Sequence, residues 1–156
     1  MSKAFFVYFF VKAWYYKIIN MDYSKEKIKK VAEEYQLIDI YIFGSQVSGF
    51  QREGSDFDVA VRFKNDLPKK DKRARVYANL FSELNLCFKN KKLDLVFIQE
   101  VPLHFQFKII NEGRIIYTDN LEDSLNFQER TANYYRDYKY FIDEYFQGVL
   151  EFSTKK

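Results

Sequence analysis

The residues of this chain whose types and spacing could do chemistry are a glycine-serine pair and three acids. In the stretch FGSQVSGFQREGSDFDVAV, Gly44 and Ser45 are followed by ten residues and then by Asp56-Phe57-Asp58. A third acid, Asp94, stands in KKLDLVFI. Gly44 can take backbone angles closed to other residues and turn its amides toward an anion, and Ser45 adds a hydroxyl donor for a phosphate oxygen. Gly49 and Gly54 keep the connecting loop tight. Two carboxylates on one strand face repel each other unless a cation sits between them. Magnesium suits that place, because it takes one or two carboxylates together with phosphate oxygens and water. Asp94, flanked by Leu93, Leu95 and Val96, is the same kind of intruder in an apolar strand. If its strand pairs beside that of Asp56 and Asp58, the three acids converge and can hold two metal ions, with Asp94 also able to accept a hydroxyl proton.

Elements that would position these residues can be read on either side of them. Ser24 caps a first helix in which Ile28, Val31, Ala32 and Tyr35 recur at helical spacing. DIYIFGS reads as a short strand broken at Gly44, and DFDVAVRF alternates at period two. That alternation places Asp56, Asp58, Ala60 and Arg62 on one face and Phe57, Val59, Val61 and Phe63 on the other. A polar loop with Pro68 leads to a helix over 70–86 carrying Val76, Leu80 and Leu84, and LDLVFIQ is the next strand. PLHFQFKIINEG reads as a helix stopped at Gly113, with a left-handed glycine expected there. RIIYT is a short strand. From Asn120, with Asp123 as a capping-box variant, a long helix runs towards residue 150 with a stripe of Tyr134, Tyr138, Phe141, Tyr145 and Val149. Strands alternating with helices predict an α/β fold: a small mixed sheet flanked by helices, followed by a C-terminal helix.

The spaced motif resembles the minimal nucleotidyltransferase (MNT) family, within the polymerase-β-like nucleotidyltransferases, over roughly residues 24–118. FQERTANYYRDYKYFIDEYF further resembles the C-terminal helix of that family's antitoxin branch, encoded beside HEPN-domain toxins. The resemblance implies transfer of AMP from ATP, with two Mg²⁺, to a tyrosine of the HEPN toxin, as the antitoxin of a type VII toxin–antitoxin module. By position it assigns Gly44 and Ser45 to the triphosphate and Asp56, Asp58 and Asp94 to the metals, with Asp94 as third ligand or base. Many members carry arginines just after Gly-Ser, where this chain has Gln46, Val47 and Ser48. Phosphate charge must then be met elsewhere, by Arg52, Arg62 or Lys64. Arg62, on the same face as the acids, is assigned here to nucleotide binding and suits a structural ion pair equally well. Two rival functions stay open: a non-catalytic antitoxin that occludes its partner, and an adenylyltransferase acting on a small molecule.

Composition bounds these readings. The chain has 156 residues, 47% hydrophobic and 30% charged, which suits one folded domain. A net charge of +3 is too weak to argue for direct nucleic-acid binding. The basic run Lys69, Lys70, Lys72, Arg73 and Arg75 reads as a solvated helix face. One cysteine, Cys87 in LNLCF, excludes a disulfide framework, reads as a buried thiol and fits a reducing cytoplasm. His104 has no companion at zinc-ligand spacing. Seventeen Phe and thirteen Tyr exceed what so small a core can hold, so either some face a partner or the coding sequence favours them. Residues 1–20, with the apolar run AFFVYFFV, read as a mis-called start or dispensable extension rather than a membrane anchor. The expected divisions are therefore this extension, a nucleotidyltransferase domain over 21–118 and a helical tail over 119–156.

Overall fold

The computed structural model describes residues 23–44, 47, 56–88 and 92–154, with backbone alone for 146–154. The expectations for residues 1–20, Ser45, Gly49, Arg52 and Gly54 fall outside the described residues. The elements are α1 (Lys25–Glu34), β1 (Leu37–Phe43), β2 (Phe57–Phe63), α2 (Lys70–Asn85), β3 (Leu93–Phe97), a 3₁₀ turn (Ile98–Glu100), α3 (Leu103–Glu112), β4 (Arg114–Thr118) and α4 (Leu121–Thr154). The strands form one mixed sheet in the order β3-β2-β1-β4. β1 runs antiparallel to both β2 and β4, whereas β3 joins β2 in parallel. The long connection through α2 permits that parallel pairing, which a hairpin cannot make.

Both faces of the sheet are covered, which is why β1 is buried along its whole length. On one face Ile40, Ile42, Val59, Val61 and Leu95 pack with Ile28, Val31 and Ala32 of α1 and Leu80 and Leu84 of α2. On the other, Tyr41, Phe43 and Ala60 meet Ile109 of α3 and Phe127 of α4. Cys87 is buried, and its thiol donates to the Glu83 carbonyl at 3.3 Å. Burial pushes that thiol's pKa up, so it packs as a small apolar group rather than a nucleophile.

Local chemistry sets the helix ends. Ser24 accepts from the Lys27 amide and starts α1, while Asn120 Oδ1 accepts from the Asp123 amide and starts α4. The Asp123 side chain does not return to Asn120 as a capping box requires; it goes to Arg62. Gly113 is also a correction. Its φ of −79° and ψ of 170° are extended, not left-handed. Glycine is needed there for space, since a Cβ would stand 2.2 Å from the Ile109 carbonyl oxygen and 3.3 Å from that of Ile42.

The last helix divides in two. Its first part is docked: Ser124, Phe127 and Thr131 are buried, and Tyr135 stacks on Phe107 of α3 at 4.2 Å. Beyond Tyr135, every side chain described up to Tyr145 is exposed except Ile142, which is half-buried.

Candidate active site

Parallel pairing of β2 with β3 sets Asp58 directly beside Asp94. Neighbouring strands lie about 5 Å apart, so these carboxylates are forced into each other's field. Asp56 stands two residues before Asp58, immediately ahead of β2, and is exposed. On the other side of β2, Asp58 pairs with Phe43, the last residue of β1, and Gly44 follows at once. Gly44 has a φ of +72°, and its carbonyl accepts from the Val47 amide at 3.2 Å, so the chain turns sharply there. A Cβ on Gly44 would lie 2.0 Å from Asp58 Oδ2. The glycine thus lets the backbone of the turn press against the central carboxylate.

The electrostatics follow from this placement. Burial pushes the Asp58 carboxyl above its ordinary value, Asp94 and Asp56 push the same way, and Lys108 on α3 pulls it back. Asp58 is half-buried, whereas Asp56 and Asp94 are exposed. Among the described residues, no three metal-ligating side chains close into a ready-made cluster. The sequence expectation of convergence is therefore met as adjacency, not as a finished cage. Such an open set suits magnesium, which commonly draws the rest of its shell from substrate phosphates and water. Mutual repulsion around Asp58, with a backbone turn against its oxygen, fits a divalent cation held next to an anion.

Arg62 stands elsewhere. It lies four residues along β2 from Asp58, about 13 Å at the rise of a strand. Its Nε donates to Asp39 Oδ2 at 2.7 Å and its terminal nitrogen to Asp123 Oδ2 at 2.6 Å. Its guanidinium also lies 4.5 Å over the Phe127 ring. Asp39 has no exposed surface, and the Ser124 hydroxyl donates to its other oxygen. A buried carboxylate needs such partners, and the geometry gives Arg62 a structural ion pair. Lys64 is likewise paired, with Asp119 at 2.8 Å. Two features escaped the sequence reading. Asp39 was as visible an intruder in LIDIYIF as Asp94 is in LDLVFI, and Lys108 sits in a helix without a motif.

Comparison with known proteins decides the family. The model of the "Polymerase beta, Nucleotidyltransferase" family matches residues 26–122, more than half of the chain. This chain belongs to the polymerase beta nucleotidyltransferase family. No curated protein sequence matches the chain. Its nucleotidyltransferase fold is shared by solved toxin–antitoxin structures. One of these, with AMP-PNP, has a chain with TM-score 0.62 and 23% identity, covering 81% of this chain and 98% of its own. Another, a tri-AMPylated Shewanella oneidensis HEPN toxin in complex with MNT antitoxin, has TM-score 0.57 and 21% identity, covering 81% and 95%. The toxin–antitoxin MntA–HepT gives TM-score 0.57 and 21% identity, covering 81% and 96%. At these identities the likeness of the nucleotidyltransferase is one of fold. Among the described residues, no helix is long and apolar enough to cross a membrane.

Proposed function

We propose that this nucleotidyltransferase moves AMP from ATP to a tyrosine hydroxyl of a HEPN-domain toxin, and so acts as the antitoxin of a type VII module. The observation that carries this reading is the setting of Asp58, wedged between Asp94 and the Gly44 turn with Asp56 beside it. A protein that only binds has no physical reason to hold three repelling carboxylates beside an anion-ready turn.

In this reading Asp58, Asp94 and Asp56 would hold Mg²⁺, while the Gly44 turn and Ser45 are assigned to the triphosphate. Bound there, the cation supplies neutralisation of phosphate charge and a lower pKa for the acceptor hydroxyl. The hydroxyl oxygen attacks the α-phosphorus; the bond from that phosphorus to the bridging oxygen breaks, and pyrophosphate leaves. Asp94, exposed on its strand, takes the hydroxyl proton. The solved relatives with AMP-PNP and with an AMPylated HEPN toxin support the choice of nucleotide and acceptor.

The far half of α4 supports a protein acceptor. Tyr134, Tyr138, Phe141 and Tyr145 are all at least half exposed and recur at intervals of three and four. That spacing is a seam of the kind helices use to pack on other helices. Most helical stability in proteins comes from packing of an apolar face, so a partner helix laid on the seam would stabilise this half of α4. The test is to incubate the chain with Mg²⁺, labelled ATP and the product of the adjacent gene, then map the label by mass spectrometry. AMP on a partner tyrosine is the expected result. A tight, unlabelled complex, with the partner still neutralised by the Asp56→Ala/Asp58→Ala variant, would instead establish occlusion.

A further inference from the structure

We propose that Lys108 meets the phosphate charge of the bound nucleotide, standing on α3 between two contacts that fasten this helix over the Gly44–Asp58 end of the sheet. The first contact is Phe105 edge-on to Phe43 at 5.8 Å, and Phe43 is the strand partner of Asp58. The second is Gly113, whose close approach to the Ile42 carbonyl leads into the pairing of Arg114 with Ile42. Lys108 lies between them, three residues after Phe105 and five before Gly113. Its ammonium is exposed and makes no ion pair among the described residues. Lys108 stands one turn on from Phe105, on the same side of α3 as the ring that meets Phe43.

The other cations considered for this role are committed elsewhere where they are described: Arg62 to Asp39 and Asp123, Lys64 to Asp119. Three carboxylates and a triphosphate leave the site negative even with divalent cations in place. A lysine is suited to that excess, because its ammonium is a compact charge on a flexible stem that can follow the phosphates. Lys108 therefore binds the triphosphate from the α3 side, while the Gly44 turn faces it from the strand side.

This inference rests on the nucleotide reading of the site, so the experiment separates the two. Calorimetric titration of the full chain with a non-hydrolysable Mg–ATP analogue, and separately with adenosine, is run on wild type, Lys108→Ala, Lys108→Arg and Asp58→Asn. Lys108→Ala is expected to weaken analogue binding about tenfold or more, consistent with loss of one charge-assisted contact. Lys108→Arg is expected to keep most of the affinity, and adenosine binding should not change in either variant. Unchanged analogue affinity in Lys108→Ala, while Asp58→Asn loses it, overturns the role of Lys108 and leaves the site reading standing. An equal loss for adenosine and the analogue makes Lys108 structural and also overturns it. A wild type that binds no Mg–nucleotide overturns both.

Discussion

An aspartate set between two others at a half-buried strand end works against the fold that holds it. The folded pKa of Asp58 lies above its ordinary value of 3.8, so the folded state holds the proton more tightly than the unfolded state does. Its contribution to stability is therefore largest below that value and declines as pH rises through the folded pKa. Asp58→Asn removes the repulsion at neutral pH. Thermal melts should show the variant a few degrees more stable than wild type near pH 7 without metal, with the gap closing below the ordinary carboxylate range. Adding Mg²⁺ should raise the wild-type Tm and leave the variant's unmoved, since a ligand stabilises only the state that binds it. Gly44 admits a second test. Gly44→Ala would force a Cβ into Asp58 Oδ2 and strain a φ of +72°, so it should cost about 1–2 kcal/mol in a denaturant titration. Transfer should fall at least about a hundredfold, because the carboxylate must move. The acids, the turn and their strands were legible because period-two alternation and an apolar-strand intruder are local signals. Whether an intruder binds metal was not legible: Asp39 and Asp94 look alike in sequence, and only tertiary pairing gives Asp39 an arginine.

Three elements meet in the Asp39 cluster, which joins β1 and β2 to the first turns of α4 through Arg62, Asp123 and Ser124. This cluster fixes the direction in which the last helix leaves the domain. Arg62→Met would leave Asp39 buried without its cation and should destabilise the chain by about 3 kcal/mol or more, read by urea unfolding. Restoring neutrality with Asp39→Asn in the same chain should recover part of that loss. Nucleotide affinity should stay near wild type in both, measured below their melting temperatures; a selective loss of Mg–ATP binding in Arg62→Met would return Arg62 to the triphosphate. Element boundaries were largely readable from caps and glycines. The exception at Gly113 has a physical cause: a glycine can be required by a crowded carbonyl as well as by a left-handed angle, and sequence does not distinguish them.

At the scale of the whole molecule, the sheet and its covering helices build the site, and the far half of α4 carries the surface most suited to an acceptor protein. Tyr138→Glu with Phe141→Glu should leave the isolated chain's stability within about 0.5 kcal/mol, since both rings are exposed. The same pair should weaken complex formation with the proposed HEPN partner in analytical ultracentrifugation by at least about tenfold, as expected for aromatic anchors of an interface. Among the described residues, Phe and Tyr are divided between core ring contacts and the exposed α4 surface, a division that needed the fold to be seen. The most direct measurement is the rate of AMP transfer from labelled ATP to that partner by wild type and by Asp58→Asn, at equal concentration and in the presence of Mg²⁺. The expected result is stoichiometric labelling by wild type and a rate at least about a hundredfold lower for the folded variant. Transfer by Asp58→Asn at the wild-type rate would contradict a reaction built on these three carboxylates.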